Sequence, residues 1–151
     1  VTTSHWPLVY DALIAKFQTL SGLAVYDGPE FTLTEDRVGE FVIVGGNGDP
    51  EGEPGGLDQQ WVGLGAKSRD ETGTVVCAVI VQSGDTTLKP SRDRAFAILD
   101  TLTASLLTDP TLGGAVTDGW LLPLSGAPEQ RENSLGSYVR LSLTVSFKSR
   151  V

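Results

Sequence analysis

Apolar residues recur at helical spacing over residues 7–20, where Leu8, Tyr10, Leu13, Ile14, Phe17 and Leu20 form one stripe. Pro7 stands near the start, where its missing N–H costs little, and Ser21-Gly22 suits the stop. A second stripe spans residues 92–107: Phe96, Leu99, Leu102 and Leu106 line one face, with Ala95 and Ile98 beside them. Pro90 precedes this helix and Asp109-Pro110 ends it.

Between and after the helices the period drops to two. Residues 24–26 and 41–44 read as short strands, the first closed by the turn signal Asp27-Gly28-Pro29. Residues 59–66 read as another strand and Arg69-Asp70-Glu71-Thr72-Gly73 as a turn. Residues 74–82 are a β-branched run, apolar on both faces, as in a strand covered on both sides. A strand is expected around 120–124. The last, 138–148, alternates: Val139, Leu141, Leu143, Val145 and Phe147 point one way, and Arg140, Ser142, Thr144 and Ser146 the other.

Strands between two helices predict an α+β fold, a mostly antiparallel sheet with two long helices packed on one face. With 151 residues, 40% of them hydrophobic, the chain reads as a single domain over 1–151 that needs no disulfide or metal staple. Its apolar runs are too short to span a bilayer as a helix. No basic, apolar leader opens the chain, and Cys77 is the lone cysteine; both make a reducing compartment the expectation. The sequence has no Met, which we read as an initiator Met removed from before Val1. The net charge of −8, with 11 basic residues and no broad basic cluster, argues against phosphate-neutralising contact with nucleic acid.

The stretch "GGNGDPEGEPGG" is the main feature without periodicity. Acids follow its glycines where a phosphate loop would have a Lys and a helix start. "GLGAKS", residues 63–68, lacks the Gly directly before Lys67 and lies in an expected strand. Against a calcium loop, Asn47, Asp49 and Glu51 fall at positions one, three and five, Gly52 at the sharp turn and Asp58 at the last position. Asn in first place, a short final Asp, strands as flanks and Pro50 and Pro54 count against it. Residues 46–58 are therefore expected to form a long, exposed acidic excursion between strands, carrying Asp49, Glu51, Glu53 and Asp58.

Catalytic candidates are sparse. His5 sits in the N-terminal segment, where disorder is the expectation. Cys77 lies in the most apolar strand, as a small core residue would. Asp70/Glu71 and Glu129/Glu132 read as solvated turn acids. Trp61 reads as core, with a surface joint as the other reading. We expect no catalytic, cofactor-binding or metal-ligating residues.

The order "PLVYDALIAKFQTL", "VYDGP", "FVIVG", "GTVVCAVIVQSGD", "RDRAFAILDTLTASLLTDPTLGG" and "GSYVRLSLTVSFKSR" resembles the tail terminator proteins of long-tailed bacteriophages, especially those of actinobacteria. The likeness covers nearly the whole chain and rests on segment order and texture. It implies a non-enzymatic virion subunit, assembled in the host cytoplasm. Six copies would form a ring that caps the tail tube, stops its polymerisation and joins it to the head. The implied partners are further copies, the major tail tube protein and neck proteins, with DNA passing through the lumen unbound and no membrane involved; in such a ring Asp49, Glu51, Glu53 and Asp58 are expected as assembly or lumen charges. Head–tail connectors and tail or head completion proteins share this length and texture and remain an alternative. So does a small cellular binding module or enzyme subunit whose loop takes Ca²⁺.

Overall fold

Val76 marks the point around which the sheet is organised. Its carbonyl accepts the N–H groups of Gly45 at 2.8 Å and Gly46 at 2.9 Å, and its own N–H donates to the Pro54 carbonyl at 2.9 Å. The chain therefore leaves the sheet and returns to it at one residue. The computed structural model describes residues 3–20, 22–28, 38–47, 52–65, 67–125 and 128–151. Within them the elements are α1 (Trp6–Gln18), β1 (Ala24–Asp27), β2 (Gly39–Val44), β3 (Gly55–Trp61), β4 (Arg69–Ser83), α2 (Leu88–Thr108), β5 (Asp118–Leu121), β6 (Glu129–Asn133) and β7 (Gly136–Arg150).

β4 and β7, 15 residues each, pair antiparallel from Asp70↔Arg150 to Ser83↔Ser137. Each outer edge of this ribbon carries two short strands in succession. β2 covers β4 from Gln82 to Cys77, and β3 takes over from Val75 to Arg69. On the other edge β5 covers β7 from Lys148 to Val145, and β6 covers it from Arg140 to Gly136. β2 and β3 thus act as one strand interrupted by an excursion, and β5 and β6 as another. β1 lies outside β2 in parallel, which makes the sheet mixed.

Both helices pack on one face. Val9, Leu13 and Phe17 of α1 and Ala95, Ile98, Leu99, Leu102 and Leu106 of α2 are buried there against the odd-numbered residues of β4 and β7. This is the expected α+β arrangement, with Val139, Leu141, Leu143, Val145 and Phe147 beneath the helices. A smaller cluster of Phe41, Ile43, Ala78, Ile80 and Tyr138 occupies the opposite face. The even-numbered residues of β7 are therefore not all wet: Tyr138 and Ser146 are buried and Ser142 is exposed.

Several boundaries differ from the sequence reading. Residues 69–73 are not a turn but the first part of β4. Their Asp-Glu-Thr-Gly chemistry suits a turn, yet pairing on both edges overrides local preference. Gly73 fits because the Phe147 ring lies over it; a Cβ there would stand 2.5 Å from Phe147 Cζ. The reversal falls at 62–68 instead, closed by the Val62 N–H on the Ser68 carbonyl at 3.2 Å. The strand expected at 59–66 accordingly runs Gly55–Trp61, and the one expected around 120–124 runs Asp118–Leu121. β6 had no sequence signal, because its Glu-Gln-Arg-Glu-Asn run lacks apolar alternation. α2 begins at Leu88, so Pro90 lies inside its first turn, where no N–H is missed. The α1 stripe centres on Val9 rather than Leu8, which is half exposed, and Phe96 lies at the exposed margin of α2.

Candidate functional site

The β3–β4 hairpin ends in an apolar tip. Trp61 is 67% exposed, Val62 41% and Leu64 fully, and Leu57, 52% exposed, extends the patch along β3. Leu57 pairs with Gly73 and Trp61 with Arg69, so both side chains stand on the sheet face that carries the helices. The Arg69 guanidinium lies over the Trp61 ring at 5.5 Å, and Lys67 is exposed in the same turn. Single exposed apolar residues are ordinary, but several large ones exposed on one hairpin make it a candidate contact surface. Trp61 is therefore at the surface and not in the core. The signal was present as three large apolar residues in a glycine-rich stretch, "WVGLG". Reading that stretch as a strand hid it.

A concave surface lies at the other end of β3. Trp6, Pro7, Tyr10 and Pro54, with Gly28 and Gly45 behind them, line a groove of about 370 Å³. The Trp6 and Tyr10 rings tilt against each other at 5.2 Å between centroids. Tyr10 Oη donates to the Val44 carbonyl at 2.6 Å. Burial pushes the phenol well above its ordinary range, and hydrogen bonding and charge from Asp27 push it further. Gly45, at φ +87°, lets the chain pass under this ring; a Cβ there would lie 1.7 Å from Tyr10 Oη. Asp11 stands exposed at the rim.

Between these surfaces the N-terminal segment is clamped across the sheet. The His5 N–H donates to Glu71 Oε1 at 2.7 Å, and the Gln59 amide donates to Glu71 Oε2 at 2.5 Å. The His5 ring Nδ1 meets Ser149 Oγ, and Trp6 Nε1 donates to the Thr74 carbonyl at 3.1 Å. Glu71 is fully buried. Burial alone would raise its carboxyl, but hydrogen bonds from Ser4, Gln59 and His5 outweigh it and hold the group below the usual carboxylate range. His5 is thus an ordered helix cap rather than a loose end, and Glu71 a buried acceptor rather than a solvated turn acid. Asp70 pairs with Arg150 at 2.8 Å, and Glu129 with Arg140 and Arg131, so these acids too have oriented partners. Ser149 and His5 stand as a nucleophile and base would, beside a cavity of about 650 Å³ bounded by Thr117, Lys148 and Arg150. Glu71 engages the backbone N–H of His5 and not its ring, so it does not orient the imidazole as a catalytic acid would. The arrangement ties three strands to the start of α1.

The acidic excursion is only partly described. Asp49 and Glu51 lie outside the described residues. Glu53 is exposed, and Asp58 is exposed on β3 opposite Thr72. The excursion therefore ends at Pro54, not at 58. Thr72 lies four residues along β4 from Val76, about 13 Å at strand spacing. Asn47 follows the glycines held by Val76, so Asn47 and Asp58 leave and rejoin the sheet at separate places along β4. Residues 63–65, 67 and 68 form the hairpin turn that leads into β4, so no helix N-terminus stands behind Lys67. Cys77 is buried under the helices, with its thiol pushed up to about 12 by burial.

Among the described residues no group of three or more His, Cys, Asp or Glu side chains could hold a metal ion, and no helix is long and apolar enough to cross a membrane. No family model and no curated protein matches this chain.

Proposed function

We propose that the chain is a ring-forming structural subunit of a phage virion, a tail terminator that caps the tube and joins it to the neck. The observation that carries this reading is the apolar hairpin tip with Trp61 and Leu64 presented to solvent. A rigid projection of this kind suits lasting contact with another subunit, since aromatic anchors dominate such interfaces. The resemblance in segment order and texture described above is what suggests this family. The acidic balance suits a channel through which DNA slides, because like charge opposes phosphate contact. The cargo of such a subunit is other proteins, and its work is binding.

The reading is tested by imaging the purified protein with and without tail tubes of its phage. Closed rings of six copies that bind one end of the tube are the expected result. A protein that stays monomeric and leaves tube length unchanged would overturn it.

A further inference from the structure

We infer that the hairpin tip of one copy docks into the groove beside Trp6 and Tyr10 of the next copy, making a head-to-tail contact. The inference deepens the ring-subunit reading and rests on it for closure. The two surfaces match in chemistry. The tip offers Trp61, Val62 and Leu64, all exposed, on a turn that also carries Lys67, with Arg69 at the start of β4 beside Trp61. The groove is walled by Trp6, Pro7, Tyr10 and Pro54 and holds about 370 Å³, enough for one large side chain with its neighbours. Its rim carries Asp11, and Asp27 ends the adjoining β1, both exposed. A basic apolar knob thus faces an acidic apolar socket. Among the described residues neither Asp11 nor Lys67 has an ion-pair partner within the chain.

The geometry decides the kind of contact. Groove and tip stand at opposite ends of β3, six residue steps or about 20 Å apart. The tip extends the β3–β4 ladder, and the groove residues Trp6 and Tyr10 of α1 are tied to the same sheet by hydrogen bonds to the Thr74 and Val44 carbonyls, so the tip does not fold back into its own groove. A contact between two different patches is heterologous, and such contacts close into rings or run on as filaments. The knob is fixed by the β3–β4 ladder and the socket by the Tyr10–Val44 hydrogen bond, so little order is lost on docking.

The test uses the full chain in two variants. Trp61→Ala with Leu64→Ser removes the knob and leaves the groove; Asp11→Lys reverses the rim and leaves the knob. Sedimentation across a concentration series should show assembly by the parent chain. Each variant alone should need at least about 30-fold more protein to associate, the scale of an interface hot spot. Mixed in equal amounts, the two variants should form dimers and stop there, because the mixture holds one intact knob and one intact socket per pair. Lys67→Glu combined with Asp11→Lys should restore assembly in one chain. Melting curves matching the parent's will show that the variants fold. Variants that assemble like the parent would overturn this contact while leaving the ring reading in place. A parent chain that stays monomeric throughout would overturn both. A parent that stays monomeric but binds anionic lipid vesicles through Trp61 would overturn the inference in favour of a lipid surface.

Discussion

The backbone N–H of His5 donates to the carboxylate of Glu71 across 66 residues of sequence, at 2.7 Å. The bond joins the cap of the first helix to the interior of the central strand, and Glu71 has no solvent exposure. Glu71→Gln should therefore destabilise the fold by about 1–3 kcal/mol, the cost of mismatching a buried hydrogen-bonded group. The sign with pH follows. The folded carboxyl titrates below its ordinary value of 4.5, so its stabilisation is complete above that pH. It is lost as pH falls through the lower, folded value. Acid denaturation monitored by circular dichroism should show a shallower dependence below that point in Glu71→Gln than in the parent.

Gly73 is expected to be indispensable for a local reason. A methyl at this position would lie 2.5 Å from Phe147 Cζ, and the Gly56 carbonyl stands 3.1 Å away on its other side. Gly73→Ala should cost about 1–3 kcal/mol by overpacking. Phe147→Leu should cost stability alone but less than additively in the Gly73→Ala background, since the two sites share one space. A double-mutant cycle in urea measures the coupling.

Leu143 is 2% exposed and belongs to the cluster beneath both helices. Leu143→Ala should destabilise by about 2–5 kcal/mol, the range for truncating a buried leucine. Ser142→Ala, on the neighbouring exposed position, should change stability by no more than about 0.5 kcal/mol. Equal effects would mean that the strand does not present its odd-numbered side to the helices.

The groove should make the protein sensitive to alkali. Tyr10 titrates above its ordinary 10.0 because it is buried beside Asp27, and Cys77 titrates above its ordinary 9.0. A raised acid favours the protonated, folded form. The stabilisation is whole below those ordinary values and falls away as pH climbs past them. Tyr10→Phe should remove its share of the alkaline loss while weakening the fold at neutral pH by about 0.5–1.5 kcal/mol, the net worth of its hydrogen bond to Val44.

Neutralising Asp49, Glu51, Glu53 and Asp58 with Asn and Gln should leave the melting temperature nearly unchanged, because Glu53 and Asp58 are exposed and acidic charges in a Gly/Pro-rich excursion contribute little to stability. Under the ring reading the same change should alter assembly, tail capping or DNA passage. A melt beside a complementation assay for infectious particles separates the two effects. A large fall in melting temperature would make the excursion structural, and unchanged infectivity would make it a bystander.

Periodicity by itself determined both helices, the two-sided central strand and the odd-numbered buried face of the last strand. Each of these buries a row of large apolar side chains, so the repeat of the helix or strand is written directly into the residue order. It also placed Cys77 in the core and an excursion after Val44. Only the tertiary structure decided the rest. Residues 69–73 carry turn chemistry but are extended, because β3 and β7 satisfy their backbone from both sides. Glu71 looks like a surface acid until the cap of α1 is laid over it, 66 residues away in sequence. Trp61 reads as a core residue until the chain reverses just after it, with the Val62 N–H on the Ser68 carbonyl, and leaves its side chain 67% exposed. The difference is one of range. A side chain buried by its own element announces itself through local period, whereas one whose surroundings come from distant segments has no local signature to read.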